Sequence, residues 1–446
     1  MARNRFPFVT FAGGAVLLFS HLSFGATTPP TLSLRSAINI ALERNPVIGA
    51  AKSRFEESDS LLGQVRASAF PTLSAALNAT HKKDAVSFGS PSFGGEAYNT
   101  YNAQLNLVQP LYVGGAFWAG YSVAQQEKAI RRLDFEIARR DLSVSVIQAF
   151  YLLLLNQEKL ETLKRTAAVE KESLQTAEKR YRIGRGQLLD VLQIKTQISL
   201  LQSRIAQATS DLETSTVALV NLLGDRETKS ITIKGTLRAH GIRPLVDEAK
   251  KEHYRIPEFE RIAAKQDQFE NQTTVNLAKH YPQLNLVGNV SRNAHVKQEL
   301  TNSYSQSWSM ALQLSIPLFS GLSSVSERHS LAAQSEQLRM EETRLKNQTA
   351  LDEVRAAKDL EAAEAVIEAA SEALGYARNS VKEAQRGYRL ATIDYLQFLT
   401  VQTSLLDAEL GHSQALFNYV NSSAKYLVAS GHSLEGLIQV LEASNN

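Results

Sequence analysis

Two hydrophobic periodicities alternate along this chain of 446 residues. In four short segments, apolar and polar residues alternate with a period of two, which predicts β-strands. These segments lie near residues 73–80, 101–107, 283–290 and 307–316. Residues 111–243 and 318–446 contain no proline and are rich in Ala, Leu, Glu, Gln, Lys and Arg, so they predict long helices.

The predicted helices have two lengths. A helix from Gly114 to about Arg182 would have nearly 70 residues and a length of roughly 100 Å. The helix that returns from it, Leu188 to about Leu223, is half as long, and so is a helix predicted near residues 34–69. The second half repeats this arrangement, with a shorter first helix after Pro257. Two half-length helices placed end to end therefore match one full-length helix.

The chain is a duplicated half. Pro46 and Pro71 recur 211 residues later as prolines, and Pro110 recurs 207 residues later. The spacing of 207 also relates three further pairs, namely Tyr181-Arg182 with Tyr388-Arg389, Leu189 with Leu396, and Leu192 with Leu399. A period near 210 is typical of a duplicated half and is too long for a solenoid unit.

The repeats predict the domain organisation. The two halves are residues 26–224 and 257–431, with a linker at 225–256 and a tail at 432–446. The first half has a β-hairpin at about 71–110 and a coiled-coil hairpin at about 114–223. The second half has the corresponding hairpins at about 282–317 and 321–430.

The first 25 residues have the order of a secretory signal. Arg3 and Arg5 precede the uncharged run Phe6–Phe19, and small residues at Ser23 and Gly25 follow it. The apolar run is shorter than the roughly 20 residues that a membrane-spanning helix needs. We therefore expect residues 1–25 to be removed and the mature chain to be exported.

Charge and cysteine content exclude several function classes. The 48 Lys and Arg nearly balance the 45 Asp and Glu, so the chain lacks the broad basic surface of nucleic-acid-binding proteins. The absence of Cys excludes disulfides and thiolate metal sites. The nine His form no H-E-x-x-H motif, and Gly184-Arg185-Gly186 lacks the context of a phosphate-binding loop. The sequence predicts neither an enzyme nor a cofactor.

Several features of the predicted strands favour a membrane β-sheet. The face opposite the apolar one carries Ser, Asn and Gln. An aromatic residue stands beside the proline that bounds each strand, and together these residues are Phe70, Tyr112, Tyr281 and Phe319. All four mark the end that joins the helices, which predicts an interfacial girdle. The four aromatics could instead be ordinary packing residues at hinges. The alternating strands could instead belong to a soluble β-sandwich.

Four strands are too few to close a membrane barrel, because the smallest such barrels use about eight. An open sheet edge cannot lie in lipid. The chain must therefore pool its strands with copies of itself. Two copies or three would both satisfy this requirement.

Over essentially the whole mature chain, the sequence resembles the TolC-like outer-membrane efflux proteins. The resemblance is carried by the duplicated tip motifs, 181–192 and 388–399, and by the proline-bounded strand pairs. It implies a homotrimer in the outer membrane of a Gram-negative bacterium, with a shared 12-stranded barrel and a periplasmic α-helical tunnel. It also implies passive export, in which a periplasmic adaptor and an inner-membrane pump or secretion ATPase supply substrate and energy. The linker, with a strand-like stretch at 230–234, and the tail would surround the middle of the tunnel.

The resemblance also implies roles for particular residues. The adaptor-docking tips would be formed by Gly184, Leu189, Leu192, Ala391, Leu396 and Leu399. Asp190 and Tyr388 match residues that link tip helices and close the tunnel, through a bond from the Tyr hydroxyl to the carboxylate. The family's linking arginine corresponds to Ile393, so Arg185 and Arg389 are the nearby replacements.

The family's acidic constriction corresponds to the neutral residues Gln397 and Thr400. Asp394, about one turn earlier, is therefore a candidate for a carboxylate ring. Capping of a helix N-terminus is the alternative role of both Asp190 and Asp394.

Two other functions remain open from the sequence. The first is a secreted trimeric coiled-coil scaffold or adhesin without a pore, and the second is the periplasmic adaptor itself. The second returning helix carries two heptad stripes, and the first returning helix carries the counterpart of one of them. Two stripes on one helix indicate two helical neighbours, in a closed tube or in a plain four-helix bundle. The polar face of the strands is nonspecific, so the cargo could be drugs, metals or unfolded proteins.

Overall fold

The computed structural model describes residues 31–83, 97–224, 232–233, 235–238, 241–249, 255–296, 306–319, 321–390 and 392–445. The predicted signal peptide, 1–25, lies outside these residues, as do 15 of the 32 residues of the predicted linker. In chain order the elements are β1 (Thr31–Leu32), α1 (Leu34–Arg44), α2 (Pro46–Ala67), β2 (Thr72–Lys82), β3 (Tyr98–Val113), α3 (Ala116–Arg182), α4 (Leu188–Leu222), β4 (Thr232–Ile233), α5 (Ile242–Ala249), α6 (Pro257–Ala278), β5 (Gln283–Ala294), β6 (Gln306–Ser315), α7 (Ser323–Arg389), α8 (Tyr395–Ala429) and α9 (Glu435–Asn445).

The two halves have the same helix lengths. α3 and α7 both have 67 residues, α4 and α8 both have 35, and α2 and α6 both have 22. The predicted order of helix, β-hairpin, long helix and half-length helix is confirmed in both halves. None of the described helices contains a stretch long and apolar enough to cross a membrane.

One antiparallel sheet contains a β-hairpin from each half. Its strand order is β2-β3-β5-β6, so β2 and β6 are the edges. Cross-strand pairing places Asn102 opposite both Asn78 and Asn293. The Asn102 side chain accepts a hydrogen bond from Asn78 at 3.4 Å and donates one to Asn293 at 2.7 Å. One face therefore carries a row of bonded amides, as the alternating pattern predicts.

The structure differs from the expected boundaries at three places. The helix expected near 34–69 is two helices, because Pro46 lacks an N–H and disfavours the helical conformation of Asn45. β3 continues past Pro110 to Val113, and its pairing with β5 shifts register between Pro110 and Tyr112. Such an irregularity is where a strand tolerates proline. Within the expected stretch 230–234, the described strand is Thr232–Ile233, which pairs in parallel with β1.

The largest hydrophobic cluster lies around the middle of α3. Val146, Ile147 and Phe150 are fully buried there, among side chains from α1, α4, α5, α7, α8 and α9. The C-terminal helix α9 is also tied to α1 by an ion pair, in which the Arg35 guanidinium lies 3.0 Å from the Glu442 carboxylate. The short helices therefore form a layer around the midpoint of the long ones.

Asn45 joins three elements, which makes it a test of this midpoint packing. Its side-chain oxygen accepts the N–H of Val47 at 2.8 Å, and its amide donates to the carbonyl of Leu222 at 2.8 Å. We expect Asn45→Ala to lower the free energy of unfolding by about 1–3 kcal/mol, since it removes a helix cap and the hydrogen bond to the partly buried carbonyl of Leu222. Thermal unfolding of the purified protein measures this. Asn39→Ala, an exposed change on α1, is the control, and equal midpoints for the two variants would contradict the assignment.

Candidate functional site

The first tip of the molecule is the turn between α3 and α4. Gly184 has a φ of +72°, a left-handed conformation that glycine adopts without steric penalty. The N–H groups of Gly184 and Arg185 donate to the carbonyls of Tyr181 and Arg180, which closes the end of α3. A Cβ on Gly184 would meet no atom within 4 Å, so this predicted docking residue lies on an open surface.

The second tip is the turn between α7 and α8. The N–H and the hydroxyl of Thr392 both donate to the carbonyl of Gly387, at 2.9 and 3.1 Å. Asp394 caps α8, since its Oδ1 accepts the N–H of Gln397 at 2.7 Å. The predicted docking residue Ala391 lies outside the described residues.

Buried side chains from four helices meet between the two turns. This group, here called the tip cluster, consists of Ala177 of α3, Val191, Ile194 and Ile198 of α4, Tyr388 of α7, and Tyr395 and Phe398 of α8. The Tyr388 ring stacks on Phe398 with 5.1 Å between centroids and 7° between planes, and it meets Tyr395 edge-on at 6.1 Å. The tip cluster therefore packs the two coiled-coil hairpins of one chain against each other.

The predicted docking leucines differ in exposure. Leu189, Leu192 and Leu396 are each more than half exposed. Leu399 is partly buried and packs against the tip cluster. Two residues that sequence reasoning did not assign to docking are still more exposed, namely Ile183 and Leu390, the first residue of each turn. An apolar surface therefore extends over both tips.

The predicted tunnel-closing residues are not joined to one another within the chain. In the part that the structure describes, no hydrogen bond connects the Tyr388 hydroxyl with the Asp190 carboxylate, and the Tyr388 ring lies flat against Phe398 in the tip cluster. Burial raises the pKa of Tyr388, nearby Arg180 opposes this rise, and Asp190 adds to it. Arg185 and Arg389 are exposed. Links between neighbouring copies of the chain stay a prediction for these four residues.

The candidate constriction residues Asp394, Gln397 and Thr400 are all exposed at the start of α8. One oxygen of Asp394 is occupied by its capping bond, which is the alternative role expected from the sequence. The Thr400 hydroxyl donates to the carbonyl of Leu396 at 2.9 Å. A carboxylate ring in the tunnel stays a prediction.

Arg180 connects the hairpins at the surface of the tip cluster. Its guanidinium lies 5.0 Å from the centroid of the Tyr388 ring. It also donates to the carbonyls of Tyr388 and Arg389, at 2.8 and 3.2 Å. These carbonyls end α7, where a cation is favoured by the helix dipole. Arg180 thus caps α7 from the neighbouring hairpin.

Glu170 and Tyr395 form a second polar contact between the hairpins, inside the protein. Both residues have a relative exposure of 0%. The Tyr395 hydroxyl donates to Oε2 of Glu170 at 3.0 Å. Burial raises the pKa of the Glu170 carboxyl, and the hydrogen bond from Tyr395 opposes only part of this rise. Burial and the neighbouring carboxylate also raise the pKa of Tyr395.

Sequence reasoning missed these three polar residues, although the duplication held a signal for them. Each differs in chemistry from its counterpart 207 residues away, namely Glu170 from Ala377, Arg180 from Gly387, and Tyr395 from Leu188. The shared motifs identified the tips. The positions where the halves disagree identify the residues that join one hairpin to the other.

The four aromatics of the predicted girdle lie where the sheet joins the helices. Phe70, Tyr112, Tyr281 and Phe319 are all more than half exposed. Large apolar side chains also project from the edge strands, among them Leu77 at 82% and Trp308 at 76% relative exposure. An exposed apolar surface on a sheet is typical of contact with lipid or with another chain.

A pair of coiled-coil hairpins joined to a shared sheet defines the subunit of a channel with a helical stalk. Residues 37–225 and 250–432 match the model of the outer membrane efflux protein family. The chain therefore belongs to the outer membrane efflux protein family, and it is a protein of the Gram-negative outer membrane.

Individual relatives agree with the family. The cobalt-zinc-cadmium resistance protein CzcC of Cupriavidus metallidurans is 22% identical over 269 residues, which are 60% of each chain. This chain thus spans less than two thirds of the length of CzcC. The proteases secretion protein PrtF of Dickeya chrysanthemi is 23% identical over 83% of this chain and 84% of its own. The crystal structure of the outer membrane protein VceC of Vibrio cholerae has the same fold, with a TM-score of 0.75, 19% identity, and coverage of 90% of this chain and 97% of VceC.

The Arg180 contacts predict a local change in stability. We expect Arg180→Leu to reduce the amide protection of residues 386–390 by about tenfold or more, because hydrogen bonds to the end of α7 are lost. Hydrogen–deuterium exchange measures this effect. Arg182→Leu is the matched control, since Arg182 is exposed and bonds to a carbonyl of its own helix. Unchanged protection in Arg180→Leu would show that the cap contributes nothing to the tip.

Proposed function

We propose that this chain is the outer-membrane exit duct of a tripartite efflux system or a type I secretion system. Three copies pool their strands into a 12-stranded barrel, and their helices continue it as a periplasmic tunnel. The duct conducts substrate passively, while a periplasmic adaptor and an inner-membrane pump or secretion ATPase supply substrate and energy. The halves 26–224 and 257–431 provide the strands and helices that form the wall of this duct, and the linker and tail surround its middle.

The observation that carries this proposal is the open sheet. β2 and β6 each have one edge with no partner strand in the described chain, and both expose apolar side chains. Unpaired backbone groups are not tolerated in hydrocarbon, and a sheet avoids them by closing on itself. Joining β6 of one copy to β2 of the next closes the sheet, and three copies supply 12 strands. Cyclic symmetry makes all such joints identical.

The long helices support the same assembly. α3 and α7 have equal lengths, but α3 buries 20 side chains and α7 buries six among its described residues. α7 exposes large apolar residues along its length, among them Val354, Val366 and Tyr376. Because α3 and α7 are equivalent helices of a duplicated fold, we expect both to bury their apolar side chains against other helices. A second copy of the chain supplies that cover for α7.

The apolar tips fit the adaptor. Leu189, Leu192 and Leu396 remain exposed beside two tight turns, which is unfavourable unless another protein covers them. The names of two relatives refer to different exported material, since CzcC is a metal resistance protein and PrtF is a proteases secretion protein. We therefore propose metal ions or other small toxic compounds, or a secreted protein, as the two cargo classes to test.

Assembly and transport test the proposal directly. We expect the mature protein to require detergent and to have the mass of a trimer by native mass spectrometry. Deleting it should reduce tolerance to metals or drugs if it serves efflux, or abolish appearance of one secreted protein if it serves secretion. A detergent-independent monomer would refute the duct, and a detergent-independent trimer would favour the scaffold or adhesin.

The first tip gives a more specific prediction. We expect Gly184→Trp to abolish transport and leave the trimer intact, because it places a large side chain on the docking turn. Gly184→Asn is the matched control, since asparagine tolerates the left-handed conformation that a bulky residue strains. Transport of the cargo found by deletion and native mass spectrometry measure the two effects. Normal export by Gly184→Trp would show that this turn is not a docking site.

A further inference from the structure

The two coiled-coil hairpins of one chain meet at the tip through the tip cluster. Tyr395 begins α8 and Tyr388 lies at the end of α7, so both belong to the second hairpin. Ala177 and Val191 come from the first hairpin. Any movement that separates the hairpins at the tip must therefore pull these side chains apart and expose what lies among them.

Glu170 is the charged residue beneath this contact. One of its oxygens accepts the Tyr395 hydroxyl at 3.0 Å, whereas Oε1 is buried without a hydrogen-bond partner in the described part of the chain. Burying an ionised carboxylate with an unpaired oxygen is unfavourable, and a neutral carboxyl in the same place is much less so. The protonation of Glu170 therefore changes the stability of the contact between the hairpins.

Four other titratable groups face this contact from the surrounding helices. They are Arg180 of α3, Asp190 of α4, Tyr388 of α7 and Tyr395 of α8. The guanidinium of Arg180 is engaged with the Tyr388 ring and with the end of α7. Tyr395 supplies the hydrogen bond to Glu170. Neither contact places a positive charge in hydrogen-bond contact with the Glu170 carboxylate.

We propose that Glu170 and Tyr395 form a latch that holds the two hairpins of each subunit together at the tip, and that a proton on Glu170 tightens it. The latch rests on the proposed duct, in which separation of the hairpins widens the tunnel end. Glu170 and Tyr395 are positioning residues, since they act on the packing of α3 against α8 and touch no substrate. The asymmetry of the repeats supports this role, because Ala377 and Leu188 at the equivalent positions could not form the pair.

The sign of the pH dependence follows from the burial of Glu170. Because burial raises the pKa of this carboxyl, the packed tip binds a proton more tightly than an opened tip that exposes Glu170 to water. The packed tip is therefore most stable below the ordinary pKa of glutamate, and it loses this stabilisation as the pH rises through the raised pKa. Acid favours a closed tunnel, and neutral or alkaline pH favours a looser one.

Conductance of the purified protein in planar lipid bilayers tests the latch. We expect Tyr395→Phe, which removes only the hydroxyl, to raise the open fraction at pH 7.5 by at least about tenfold, because both oxygens of a buried carboxylate then lack a donor. Lowering the pH to 5 should bring this variant back toward wild type. Glu170→Gln mimics the protonated carboxyl, so its open fraction should stay low and no longer depend on pH.

Two matched controls separate the latch from general damage. Tyr419→Phe removes the hydroxyl of another buried tyrosine, which lies in the central hydrophobic cluster. Glu161→Gln neutralises an exposed carboxylate on the same helix as Glu170. Both controls should keep the conductance and pH response of wild type. If Tyr395→Phe fails to assemble, the double variant Glu170→Leu with Tyr395→Phe replaces both polar groups, and it should close at every pH.

The outcomes distinguish the latch from the duct. Wild-type protein that forms no pores under any condition would refute the duct itself. Pores in which Tyr395→Phe behaves like wild type would refute the latch and leave the duct standing. A Glu170→Gln variant that keeps the pH response of wild type would refute the role of the proton, and so would a double variant that still responds to pH.

Discussion

A sheet exposed to hydrocarbon must satisfy every backbone N–H and C=O group within protein, and this constraint shapes the whole molecule. The chain supplies four antiparallel strands whose outer edges, on β2 and β6, have no partner strand among the described residues. A chain that carries two open edges is incomplete by itself. Duplication supplies two β-hairpins and two helical hairpins, and in the proposed assembly further copies of the chain supply the remaining strands.

The same duplication accounts for the helices. Because α4 and α8 are half as long as α3 and α7, the shorter helices α2 and α6 complete the length on the other side of the midpoint. The hydrophobic cluster at that midpoint encloses the junctions between them. The short helices α1, α5 and α9 cover the place where the half-length helices end.

Departures from the repeat concentrate where the two halves have different tasks. α3 is largely enclosed by helices of its own chain, whereas most described side chains of α7 are exposed or only partly buried. At the tip, Arg180 and Glu170 of the first half contact α7 and α8 of the second. A symmetric pair of hairpins could pack equally well in several alignments. Polar contacts that exist on one side only favour a single alignment, since any other would remove the hydrogen bond from Tyr395 to the buried Glu170 carboxyl.

The sequence by itself determined the elements and their order. Alternation with period two identified the strands, the long proline-free runs identified the helices, and the recurrence of the tip motif identified the duplication, because all three depend on local spacing. Pro46 also marks a helix boundary that the sequence could have revealed, although the helix expected near residues 34–69 ran through it. Tertiary structure alone decided the pairing of β3 with β5, the flat stacking of Tyr388 on Phe398, and the meeting of Glu170 with Tyr395. The paired residues of β3 and β5, like Glu170 and Tyr395, lie between 170 and 225 residues apart, and Tyr388 faces Phe398 across a turn. No local pattern specifies such contacts, because they form only when the helices and strands pack together.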